Sequence, residues 1–162
     1  LQAEIRELAG KGFIRRGYRI PRLAFFMGRW IRHGDWYPDF QLRLFDRRCG
    51  RWEGGRVHES FKTGEKTGIM NGEIHHYTYR GFSDYLKRLE SYSSLAALDY
   101  RQRGKTATAL AIAGNPIAAF LKAYVLKRGF MDGLPGFAVA VMGSVSVFFK
   151  YAKLYELQRQ DR

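Results

Sequence analysis

His33-Gly34-Asp35-Trp36-Tyr37-Pro38-Asp39 runs directly into Phe40-Gln41-Leu42-Arg43-Leu44-Phe45. The second half alternates apolar and polar residues, the period of a half-buried β-strand. The first half sets a Gly and a Pro within a few residues of two carboxylates, which predicts a shaped loop feeding that strand. Trp36 and Tyr37 offer flat faces on which a ring can stack. A carboxylate partly desolvated among them, Asp39 or Asp35, has the chemistry of a general base. Strand alternation puts Asp39, Gln41 and Arg43 on one face. The alternative is a surface turn carrying two solvated aspartates.

Reading outward, Tyr18-Arg19-Ile20-Pro21 alternates in the same way, and Gly10-Lys11-Gly12, Cys49-Gly50 and Gly54-Gly55 punctuate the segment as turns. Leu1–Leu8 has Ile5 and Leu8 on one side of a short helix. Phe61 to Glu73, with three glycines, predicts a loop or an irregular strand pair. After Gly81 the period turns helical, with Ser83 as N-cap and Phe82, Tyr85, Leu86, Leu89, Tyr92, Ala96 and Tyr100 at three- and four-residue steps. Gly104 closes that helix. A second is expected from about Thr106 to Arg128 and a third from Pro135 to about Gln158. The fold class is therefore α/β, with short strands in a first region (1–81) and three helices in a second (82–162).

Leu134 to Phe149 carries no charge. As a helix it measures about 24 Å, short of the ~30 Å hydrocarbon core of a bilayer. Lys122, Lys127 and Arg128 precede it, and Lys150, Lys153 and Arg159 follow. Cations at both ends suit a helix lying in the membrane interface, against anionic headgroups. A buried core helix with Phe137, Val141, Val145, Phe148 and Tyr155 as its stripe is the alternative. A transmembrane span is the least favoured of the three.

With 28 Lys and Arg against 15 Asp and Glu among 162 residues, the chain carries a net +13 and favours anionic partners. Its 46% hydrophobic content excludes disorder over most of the length. The single Cys49 cannot form an internal disulfide. A nucleic-acid-binding module and a non-enzymatic membrane-surface protein are the rival classes. No RNA-recognition or zinc-finger signature appears, so no nucleic-acid partner is expected. Val57-His58-Glu59 offers a metal ligand, a phosphate contact or an ordinary ion pair, and His75-His76 turn to opposite faces of a strand. The chain opens on Leu1 in the middle of a helical pattern and is expected to begin inside a longer protein.

Several segments in order carry a resemblance: Gly17-Tyr18-Arg19-Ile20-Pro21, Gly28-Arg29-Trp30-Ile31, the 33–45 stretch, Val57-His58-Glu59, His76-Tyr77-Thr78-Tyr79, Leu126-Lys127-Arg128-Gly129-Phe130-Met131-Asp132-Gly133 and Phe149 to Leu157. Together they resemble the C-terminal part of a bacterial family-2 glycosyltransferase, of the lipopolysaccharide core β-1,4-glucosyltransferase type. The resemblance implies a GT-A fold, of which this chain would be the acceptor-binding half. It implies an inverting transfer from a nucleotide-sugar donor to a glycan or lipid-linked acceptor. It also implies a divalent metal, Mg or Mn, held by an Asp-x-Asp motif that this sequence lacks. The donor half would lie upstream of Leu1, and the isolated chain is expected to be inactive. By the same resemblance Asp39 is the catalytic base, with Asp35 second. Trp36, Tyr37, Gln41, Arg43, His58 and Glu59 would contact substrate, and His58 would reach the metal or diphosphate. The enzyme would sit peripherally on the cytoplasmic face of the inner membrane.

Overall fold

A computed structural model describes residues 1–54, 60–79 and 81–160. The chain has mixed α/β architecture, with short strands first and three helices in its C-terminal half. It divides into two compact units, Leu1–Ala24 with Tyr37–His76, and Phe25–Trp36 with Tyr77–Arg162. The change of sequence character at Gly81 marks where the helices begin. The early apolar segment Phe25–Trp36 nonetheless belongs with those helices.

In the first unit, helix α1 (Gln2–Lys11) lays Leu1, Ile5 and Leu8 on a core of Tyr18, Ile20 and Met70. Its Glu4 carboxylate accepts from the Asn71 and Gly72 backbone N–H groups at 2.9 and 2.8 Å, which docks the helix on that turn. Strand β1 (Gly17–Phe26) begins in this unit and pairs antiparallel with β3 (Asp39–Phe45). It also pairs parallel with the short β6 (Gly68–Ile69). Between Tyr18 and Arg19 the register slips: Tyr18 faces Leu44 and Arg19 faces Leu42. Arg43 is thus the extra residue of a β-bulge. A separate hairpin pairs β4 (Gly50–Glu53) with β5 (Ser60–Thr63), and the Phe45 and Phe61 rings stack at 3.8 Å. Strand β7 (Ile74–Tyr77) adds Ile74 to the core.

The second unit opens with a tight reversal at Met27-Gly28, where both residues have positive φ (48° and 78°), before strand β2 (Arg29–Ile31). Phe26 and Ile31 then pack with Tyr85 and Leu89 of α2 (Phe82–Gln102) and with Val139 and Met142 of α4 (Gly133–Gln160). The buried stripe of α2 is Tyr85, Leu89, Ser93 and Ala97, while Phe82, Leu86 and Tyr92 are exposed. Ser83 is not the cap: the cap is Gly81, two residues earlier, with no side-chain bond. Gly104, at φ +67°, follows its end as expected. Helix α3 (Ala109–Leu121) is capped by Thr108, whose hydroxyl accepts from the Ala111 N–H, and it continues in a wider π turn (Lys122–Leu126). It lies antiparallel to α4, with Phe120 against Phe137 and the Ser144 hydroxyl donating to the Pro116 carbonyl.

Helix α4 does not bury the stripe that the core-helix alternative requires. Its buried residues are Gly136, Val139, Ala140, Met142 and Leu154, whereas Phe137, Val141, Phe148 and Tyr155 are exposed. Only Val145 of the expected set packs against the core. The reason is that α2 and α3 cover two flanks of α4, and neither covers the third.

Candidate functional site

Asp39 opens β3 directly opposite Arg22 of β1, so backbone register brings the two together. The Arg22 Nε and Nη2 donate to Asp39 Oδ2 at 2.8 and 2.5 Å, and Gln41 Nε2 donates to Oδ1 at 2.6 Å. Gln41 reaches it because residues two apart on a strand share a face. The carboxylate is about one-third exposed, its side chain at 31%. Oδ2 takes both Arg22 bonds, whereas Oδ1 takes one and retains a second lone pair, which can accept a proton or hydrogen bond from an incoming hydroxyl. Beside it, the cis Tyr37-Pro38 bond leads into the strand, and the Tyr37 hydroxyl donates to Glu73 Oε1 at 2.7 Å. Arg43, expected on the same face as Asp39 and Gln41, sits at the bulge that interrupts the pairing there. His58 and Glu59 lie outside the described residues.

Asp35 and Trp36 belong to the second unit, in a single 3₁₀ turn (Gly34–Trp36). Asp35 is half-exposed and ion-paired with Lys127 at 2.6 Å. Trp36 packs against Phe26 and Tyr79, at ring separations of 5.4 and 5.6 Å, and helps to close the core instead of offering an open platform.

Beside that turn lies a group that sequence reasoning passed over. Asp132 is almost wholly buried, yet its carboxylate is fully used: Oδ2 accepts from the Arg32 and His33 backbone N–H at 2.9 and 2.7 Å, and Oδ1 meets His33 Nδ1 at 3.0 Å. The Gly34 N–H donates to the Lys127 carbonyl at 2.9 Å. Residues 32–35 are therefore fastened to residues 127–132 by backbone and side chain together. Glycines keep residues 123–136 this tightly folded: a Cβ on Gly129 would press on the Ala123 carbonyl at 2.8 Å, and one on Gly136 would overlap the Gly129 carbonyl. The signal available in sequence was a lone carboxylate, Asp132, in an apolar run between two glycines.

The first unit also has an open depression of about 370 Å³ lined by Phe13, Arg15, Arg16, Tyr18, Phe45 and Arg48. Arg48 is tied down by Asp46, which accepts from its Nε, Nη2 and backbone N–H. That pairing holds the Asp46 carboxyl well below the usual carboxylate range. Among the described residues, no three His, Cys, Asp or Glu converge as a metal site.

Comparison with known proteins gives the family context. The chain is 31% identical over 94 residues to an uncharacterized glycosyltransferase of Rickettsia typhi, which is 58% of this chain and 32% of that protein. It is 30% identical over 94 residues to an uncharacterized glycosyltransferase of Rickettsia prowazekii, again 58% of this chain and 32% of that protein. It is 26% identical over 142 residues to LpsC of Rhizobium meliloti, a lipopolysaccharide core biosynthesis glycosyltransferase, which is 86% of this chain and 53% of that protein. The chain thus spans about a third to a half of the length of these relatives. No protein-family model matches it, and no solved structure does. Over part of its length the chain is thus similar to proteins named as glycosyltransferases.

Proposed function

We propose that this chain is the acceptor-side portion of a family-2 glycosyltransferase that moves a sugar, with inversion, from a nucleotide-sugar donor to a glycan or lipid-linked acceptor. The observation that carries the reading is the similarity over 142 residues to a lipopolysaccharide core glycosyltransferase. The Asp39 site supplies chemistry that suits it. In the proposed step an acceptor hydroxyl hydrogen-bonds to an Asp39 oxygen and attacks the anomeric carbon of the donor. Its proton passes to Asp39, the new C–O bond forms, the bond to the diphosphate breaks, and nucleoside diphosphate leaves. Arg22 and Gln41 hold the carboxylate in one rotamer, so little reorganisation is needed before proton transfer.

A GT-A fold for the whole protein, and a divalent metal on the donor diphosphate, are parts of the same proposal. The metal would be held by residues other than those described. A peripheral position on the cytoplasmic face of the inner membrane fits a soluble donor meeting a lipid-anchored acceptor. The test uses the intact protein, extended upstream of Leu1, with a panel of nucleotide sugars, truncated core glycans and Mg²⁺ or Mn²⁺. Release of nucleoside diphosphate that depends on the acceptor is the expected result. Absence of release across a broad panel would overturn the proposal.

A further inference from the structure

The second unit leaves a long apolar surface uncovered. Two of its helical segments, Ala109–Leu126 and Gly129–Gln160, are long and apolar enough to cross a membrane, yet only 11% and 28% of their most apolar stretches are buried. On α3 and its π turn, Leu110, Ile117 and Leu126 are 81%, 61% and 77% exposed, and on α4 Leu134 is 68% exposed. Phe137 bridges the helices, touching both Phe120 and Tyr124, so the two faces are continuous there. Soluble surfaces rarely leave so many large apolar side chains together without a partner.

Two features select the partner. Lys122 and Arg128 at one end of the helix pair and Lys105 at the other are exposed cations flanking the apolar face. Such a frame matches anionic headgroups around a hydrocarbon layer. The second feature is how the pair is tied down. At its turn, Lys127 bonds Asp35 and Gly34, and Asp132 is clasped by Arg32 and His33. At the opposite end, the Ala107 N–H donates to Gln158, and Lys150 and Lys153 donate to Tyr100 and Ser94 of α2. Along its length α4 is braced by the Tyr85 hydroxyl, which donates to the Met142 carbonyl. Were α4 to span, it would draw α2 into hydrocarbon, with exposed Lys87, Arg88 and Glu90, and would carry the polar 32–35 turn to the far side.

We infer that the α3–α4 pair is a membrane-docking surface that lies in the plane of an anionic bilayer, its uncovered apolar face in the headgroup–acyl boundary and no segment crossing. This specifies the surface and the mode of the peripheral attachment proposed above. Its test reads binding alone, so it can fail while the transferase reading stands, and the reverse.

The 162-residue chain is floated with vesicles of phosphatidylcholine containing about 30% phosphatidylglycerol, and with phosphatidylcholine alone. The expected result is strong binding to the anionic vesicles, weakened but not abolished by raising salt from about 0.05 to 0.5 M, because screening removes the ionic part only. Ile117→Ser and Leu126→Ser should each weaken binding by about tenfold while helix content by circular dichroism is unchanged. Three results would overturn the inference. One is wild-type binding by the double variant. Another is a dimer that these substitutions dissociate, in a chain that does not bind vesicles. The third is resistance to alkaline carbonate with Arg128→Cys, in a Cys49→Ser background, shielded inside the vesicle from an external thiol reagent.

Discussion

Replacing Asp132 by Ala removes a carboxylate that is 2% exposed and takes three hydrogen bonds, from the Arg32 N–H, the His33 N–H and His33 Nδ1. Two backbone donors are left without a partner in a place where water enters poorly. Each unsatisfied donor costs about 1–3 kcal/mol, and the lost imidazole contact and the small cavity add to it. A total of about 3–5 kcal/mol is expected, the range for breaking a buried polar cluster from one side. At roughly 2–4 °C per kcal/mol for a chain of this size, that lowers the midpoint of helix melting by about 6–20 °C. Asp132→Asn keeps the shape and one acceptor oxygen, so about half that loss is expected. Asp35→Ala removes an exposed ion pair to Lys127 and serves as the control, at about 0–1 kcal/mol. Urea and thermal unfolding followed at 222 nm measure all three. If Asp132→Ala shifts the midpoint no more than Asp35→Ala, the carboxylate does not hold the 32–35 turn and the reasoning fails.

In the intact protein, Asp39→Asn should lower kcat by about 10²–10⁴-fold with donor affinity nearly unchanged, and Asp35→Asn should do far less; steady-state kinetics with donor titration would show equal small effects if neither is the base. Arg22→Met should weaken activity less than Asp39→Asn, since it frees the carboxylate's rotamer without removing it. Gly136→Ala should destabilise the helical unit by about 2 kcal/mol or more, because the methyl meets the Gly129 carbonyl and the Asp132 Cβ, and urea midpoints measure it. Asp46, with its carboxyl lowered chiefly by the Arg48 side chain, contributes stability that is full above the ordinary carboxylate pKa and is lost as pH falls through the lower folded value. Carboxyl ¹³C shifts should show Asp46 titrating below the ordinary carboxylate range, and Arg48→Gln should bring it back toward that range.

Local periodicity carried much of this architecture. The α2 helix and its end at Gly104 follow from three- and four-residue spacing and a glycine, both short-range signals. Its start did not, because a glycine N-cap with no side-chain bond leaves no chemical mark, and Ser83 offered a better-looking one. The proximity of Asp39 and Gln41 was legible from strand alternation. The Arg22 clamp was not, since strand register is decided by how β1 and β3 pair and not by either strand alone. The same pairing introduced the bulge at Arg43. Sequence reasoning left two readings of the α4 stripe, interfacial or buried core, for a related reason. A helix apolar on all sides does not say which flanks its neighbours will cover.

The clasp between residues 32–35 and 127–132 joins positions about a hundred apart, with both α2 and α3 in between. On a ribosome, Phe26 and Ile31 emerge long before the helices that receive them. The core that Phe26 and Ile31 enter is closed only by Val139 and Met142 of α4. Until then Phe26 and Ile31 lack that core, while Phe25 and Trp30 have each other and Tyr77, and contacts of such long separation form slowly. The second unit is therefore built to complete itself late, and its early segment is the part of the nascent chain with most need of a chaperone's shelter.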